Sequence, residues 1–171
     1  MRRLVSWALV FLVGGCAVHD VQRGPALPLR SRWALLPVEN YAEAPEAGER
    51  AQALLETLLR VRGVLELAAT PPGDAAHALP DLDEKSRTAR SVAWARAQGY
   101  TYGVTGSVEE WRYRGGLDGE PAVGLSVRII DLASGRVVWS ASGARSGWAR
   151  QTVSGTAQTL LKDLLAELVV K

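Results

Sequence analysis

The side chains able to do acid–base, metal or nucleophilic chemistry are few in this 171-residue chain: two histidines, one cysteine, and scattered serines and carboxylates. His19 lies in a linker-like stretch and His77 in a proline-rich loop, with no Cys/His or carboxylate cluster at metal-ligand spacing around either, so no metal centre is expected. Serines are plentiful, yet no G-x-S-x-G elbow occurs and no histidine is placed to serve as a base. Glu109 and Glu110 are adjacent; on a regular strand adjacent residues point to opposite faces, which rules them out as a paired acid and base. The glycines of "YGVTGSVEEW" and "LDGEPAVG" do not join a strand to a helix as a phosphate loop must, and read as bulges and turns. In the turn "GGLDGE", Asp118 and Glu120 can face together toward a partner. The expectation is a protein without cofactor or enzymatic activity.

The single cysteine finds its chemistry in its position. "MRRLVSWALVFLVGGCAVHD" has a basic start, an apolar run from Leu4 to Val13, and small residues before Cys16. That is the pattern of a cleaved export signal, residues 1–15. An apolar run of about ten is too short for a membrane-spanning helix, which needs ~20 residues. "LVGGC" resembles the lipobox of bacterial lipoproteins. The resemblance implies that Cys16 is acylated and becomes the first mature residue, and that Ala17 after it directs the protein to the outer membrane.

Removing Arg2 and Arg3 lowers Lys+Arg from 20 to 18, against 18 Asp+Glu. A mature chain with no net charge has no general attraction for nucleic acid, so none is expected as partner.

The elements follow from punctuation and period. Residues 16–31, "CAVHDVQRGPALPLRS", carry two prolines and no apolar periodicity, and read as a lipidated tether. Residues 32–171 form one periplasmic domain. A buried strand is expected at about 32–38, then a helix with Ala47, Ala51, Leu54, Leu55, Leu58 and Val61 on one face and Gly63 as its stop. "VLELAA" reads as a second strand, and Asp81 or Asp83 caps a second helix running to about Gln98. Three alternating segments follow, "YTYGVTGSVEEWRYR", "EPAVGLSVRIIDL" and "GRVVWSASGAR", an antiparallel meander. The middle one sets Val123, Leu125, Val127 and Ile129 on a single face. A last helix carries Val153, Ala157, Leu160, Leu161, Leu164 and Leu168 as its apolar stripe. The predicted fold class is α/β: a three-layer-type sandwich of a mostly antiparallel sheet with flanking helices, in the order β-α-β-α-β-β-β-α.

Five tryptophans follow the signal. Trp33, Trp94, Trp111 and Trp139 sit in regular elements and are expected to pack. Trp148, in "GARSGWARQ", is different. Extending the last helix backward puts it about 140° from Val153, and extending the last strand forward groups it with Ser140, Ser142 and Ser146. Neither register leads to the core. An exposed indole flanked by Arg145 and Arg150, in a lipid-anchored domain, suits a membrane interface, where the ring sits at headgroup level and arginine meets phosphate.

The stretch from "VTGSVEEWRYRGG" through "GARSGWARQTVSGTAQTLLKDLL", with "WALLPVEN" ahead of it, resembles the PelC family of outer-membrane lipoproteins. "GARSGW" is its most telling part. More broadly the chain is similar to the CsgG, LpoB and TolB-N group of periplasmic α/β domains. The resemblance implies a non-enzymatic role in the export of a Pel-like exopolysaccharide. The implied assembly is a homo-oligomeric ring, a dodecamer, lipid-anchored on the periplasmic side of the outer membrane. Its partner would be an export porin of the PelB type, and an anionic surface would contact a cationic polysaccharide. It implies lipid contact for Trp148, and offers Asp118 and Glu120 for the acidic opening. The alternative is an LpoB-like activator of a peptidoglycan synthase, against which the short tether counts. A CsgG-like pore would need strands without charges facing lipid, and Glu109, Glu110, Arg112 and Arg128 oppose that.

Overall fold

The computed structural model describes residues 17–22, 24–71, 84–115, 119–148 and 150–171. The export signal, Cys16, His77 and the cap expected at Asp81 or Asp83 lie outside the described residues. Nine elements follow in chain order: β1 (Ala17–Gln22), β2 (Trp33–Asn40), α1 (Ala47–Val61), β3 (Leu67–Ala69), α2 (Glu84–Ala97), β4 (Tyr102–Tyr113), β5 (Pro121–Asp131), β6 (Val137–Ser146) and α3 (Val153–Ala166). The expected α/β order is observed from β2 onward, and the six strands form one sheet in the order β1-β6-β5-β4-β2-β3. The β1–β6, β6–β5 and β5–β4 pairs are antiparallel, and β2 is parallel to both β3 and β4.

The period-two pattern decides which face each helix covers. Trp33, Leu35, Val104, Val108, Val123, Leu125, Val127, Ile129 and Trp139 form one apolar face, packed against the buried stripes of α1 and α3 in a single cluster. A fully buried leucine or isoleucine contributes about 2 kcal/mol of transfer free energy, so this layer dominates the stability. The opposite face holds only a small cluster, Ala34, Leu36 and Leu132 with Ala95 of α2. Trp94 stacks on Tyr100 at 5.2 Å, and the Arg32 guanidinium lies 4.5 Å over the same tyrosine ring. Over β5, β6 and β1 this second face has no helix among the described residues. A groove of about 500 Å³ there is floored by Ser126, Ser140 and Ser142 and edged by Asp20, Gln22 and Arg128.

Three expectations need correction. The stretch read as a tether is not a free linker. Ala17–Gln22 is the edge strand, its residues paired from Ala17↔Arg145 to Gln22↔Ser140, and Leu27 is buried with its N–H bonded to the Val169 carbonyl at 2.9 Å. An edge strand that buries almost nothing shows no apolar alternation, which is why the segment looks unstructured in sequence. Val61 is 78% exposed, because at 100° per residue it falls at the edge of the stripe centred on Ala51, Leu55 and Leu58, and Leu59 takes the buried place instead.

The third correction concerns Glu109 and Glu110. In β4 the register steps from Val108↔Leu125 to Glu110↔Gly124, leaving Glu109 as the extra residue of a bulge. A Cβ placed on Gly124 would lie 3.4 Å from the Glu109 Cβ and 3.5 Å from the Glu110 Cβ, so both carboxylates project on one face. A second irregularity lies in β2, where two residues between Leu35 and Val38, Leu36 and Pro37, oppose one on β4, Thr105. The buried Thr105 hydroxyl donates to the Pro37 carbonyl there at 2.6 Å, satisfying an acceptor displaced from the ladder.

Candidate functional site

The site is the end of the sheet where β4 finishes, β5 begins, β6 finishes and β1 begins. Its level is set by the ladder: Ala17 pairs with Arg145, Arg145 with Val123, and Val123 with Trp111. One step further Ala122 pairs with Ser146, and one more brings Pro121 opposite Tyr113. The residue before Ala17 in the chain is Cys16.

Trp148 leaves this end in a closed turn. The Gly147 N–H donates to the Pro121 carbonyl at 2.8 Å, the Trp148 N–H to Gln151 Oε1 at 3.1 Å, and the Gln151 N–H back to the Trp148 carbonyl at 2.8 Å. Glycine is required at 147 by close approach. A Cβ there would meet the Gln151 side-chain oxygen and would stand 2.7 Å from the Thr156 hydroxyl and 2.8 Å from the Pro121 ring. Thr152 then caps α3, its hydroxyl accepting from the Gly155 N–H at 3.0 Å. The backbone is thus fixed while the indole is 53% exposed. Trp33, Trp111 and Trp139 are buried, and Trp94 is half-buried against Tyr100.

The flanking arginines have different surroundings. Arg145 points to the helix face of the sheet and donates to Asp163 of α3 at 2.9 Å; its side chain is 28% exposed. It ties strand to helix. Arg150 is exposed. Of the two acidic residues singled out in the turn, Asp118 lies outside the described residues. Glu120 is exposed at the same end as Trp148, its carbonyl accepting from the Arg114 N–H at 2.7 Å.

Further carboxylates stand near this end. Glu109 accepts from the Ser107 hydroxyl at 2.6 Å, and Ser107 also meets the Ser126 hydroxyl at 2.6 Å. Glu110 is paired with Arg112 at 2.8 Å and Arg114 at 3.6 Å. Sequence reasoning reads Gly124 as a bulge or turn glycine but misses this placement, because the extra residue of the bulge is Glu109 on the facing strand. It misses Tyr113 as well. That side chain shares the parity of the buried Trp111 but lies beyond the covered part of the sheet, and is 53% exposed. Among the described residues no group of three His, Cys, Asp or Glu is arranged to hold a metal ion.

Comparison with known proteins gives one clear relationship. No family model matches the sequence, and no curated protein does. Among solved structures, the PelC dodecamer from Paraburkholderia phytofirmans is 35% identical and covers 91% of this chain and 99% of its own, with a TM-score of 0.77. A second crystal form, of a point variant of that protein, is also a dodecamer, with a TM-score of 0.78 at the same identity. Lipoprotein GNA1162 from Neisseria meningitidis is similar in fold alone, at 15% identity, 80% coverage of this chain, 96% of its own and a TM-score of 0.55.

Proposed function

The chain belongs to the PelC family, and from that premise we propose that it is a non-enzymatic outer-membrane lipoprotein that assists export of a Pel-like polysaccharide as a ring of identical subunits. The observation that carries this reading is the placement of Trp148. An exposed indole stands at the end of the sheet from which the chain leads back to Cys16. The lipidated residue directly precedes a strand paired from Ala17 onward, so the anchor has no slack and holds this end at the bilayer.

The physics of the interface fits these residues. Indole is amphipathic and settles at headgroup depth, and the exposed Arg150 beside it suits lipid phosphate. Arg145 takes a structural part instead, through Asp163. Glu120, just before β5, and Asp118, two residues earlier in the sequence, offer negative charge to a cationic polymer passing toward a porin of the PelB type. A ring of twelve, as in the related crystals, repeats each weak contact many times, so modest affinities become firm attachment.

Native mass spectrometry of the mature chain with Cys16 replaced by serine tests the assembly. The expected result is a dodecamer. A chain that stays monomeric at high concentration, together with polymer export unaffected by Trp148→Ala, removes the proposal.

A further inference from the structure

Trp148 has a counterpart on the neighbouring pair of strands. Tyr113 ends β4 opposite Pro121, and Pro121 also accepts the Gly147 N–H at 2.8 Å, so Pro121 lies between Tyr113 and the residue that precedes Trp148. Both side chains are 53% exposed. Each stands beyond the level of Ala17: Tyr113 two residues above Trp111 in that row, Trp148 three residues past Arg145. At ~3.4 Å per residue, an aromatic two residues beyond the row projects about 7 Å further out than Ala17.

We infer that Tyr113 is a second aromatic contact with the lipid surface, and that it works with Trp148 and the acylated residue before Ala17 to fix the tilt of the domain. The inference rests on the membrane reading proposed above. Lipid is the occupant because Cys16, the acylated residue of the membrane reading, directly precedes Ala17 and so brings its acyl anchor to this end of the sheet. Tyrosine suits that depth as tryptophan does, with an apolar ring and a polar tip.

The geometry gives Tyr113 a task that Trp148 cannot perform alone. On each subunit, an anchor and one aromatic define only a line of contact with the lipid. β1 and β4 are three strand spacings apart in the sheet order, about 14 Å at ~4.8 Å each. A third contact at that distance completes a plane and sets the strands upright on the bilayer. The exposed Val18 of β1, at the anchored side, adds apolar surface near the first point.

The test uses the mature Cys16→Ser chain in its oligomeric form and sedimentation with vesicles of phosphatidylethanolamine and phosphatidylglycerol. Tyr113→Ala is expected to weaken binding about three- to tenfold, Trp148→Ala by a similar factor, and the pair by more than either. Tyr113→Phe should bind as the parent does, and Val61→Ala, at the opposite end of the domain, should change nothing. Loss with Trp148→Ala but none with Tyr113→Ala overturns the role of Tyr113 and leaves the membrane reading standing. A parent chain that remains in the supernatant, or binding indifferent to both changes, overturns both.

Placement is read separately with Tyr113→Trp in a Trp148→Phe background and lipids brominated on the acyl chains. Quenching of the new indole supports the contact even if Tyr113→Ala proves poorly folded. Emission unaffected by bromine rejects it.

Discussion

Ala17 pairs with Arg145, so the first described residue of the chain lies three residues from Trp148. This relationship turns two separate sequence signals, a lipobox and an exposed tryptophan, into one location. It also predicts that slack is harmful. A ten-residue Gly/Ser insertion between Cys16 and Ala17 would let the domain stand off by up to about 30 Å. Polymer export should fall severely while lipidation and protein level stay unchanged, as measured by secreted carbohydrate and immunoblot.

Arg145 is a strut between β6 and α3. Its pair with Asp163 is partly exposed, at 28% and 44%, so solvent screening limits its worth to about 0.5–1 kcal/mol. Arg145→Ala should lower the melting temperature by about 2–4 °C and leave vesicle binding intact. A double-mutant cycle with Asp163→Ala reads the coupling directly, and unchanged melting with weakened vesicle binding would return Arg145 to the lipid surface.

Gly106 is fixed by backbone, with the Ser126 carbonyl oxygen where a Cβ would have to go. Because that oxygen belongs to a neighbouring strand it cannot move aside. Gly106→Ala should therefore destabilise by about 3 kcal/mol, the upper range for overpacking, seen as a shift in the urea midpoint.

Much of this architecture is legible in the sequence, for physical reasons that differ along the chain. Val123, Leu125, Val127 and Ile129 announce their face because one side of β5 packs on helices, and α3 announces its stripe in the same way. β1 leaves no pattern because an edge strand pairs through its backbone and buries little. Gly124 marks a bulge or turn in the sequence, but which residue of the facing strand is the extra one is hidden, and that one step at Glu109 moves two carboxylates to the same face. Trp148 is legible by elimination. Tyr113 is not, since its parity agrees with the core while its position lies past the core's edge.

Asp131 stabilises the turn between β5 and β6, accepting from the Ser134 backbone N–H at 2.7 Å and its hydroxyl at 2.9 Å. The Ser134 backbone bond, foremost, and the hydroxyl bond hold this carboxyl below its ordinary value. A carboxylate whose folded pKa is depressed contributes stability above the unfolded pKa of about 3.9 and loses it as pH falls through the lower, folded value. Thermal melts of the parent should show a component that disappears below about pH 4, and Ser134→Ala should reduce that component. An identical pH profile in the variant would show that the Ser134 side chain takes no part.

In the proposed role, the end bearing Trp148 works against the membrane in polymer export. The most direct measurement is secreted polysaccharide from cells whose only copy of the protein carries Trp148→Ala, at matched protein level and with its thermal stability checked. A large fall in export with an unchanged melting temperature is expected, because the indole is exposed and its removal leaves the core intact. Export equal to that of the parent would contradict it.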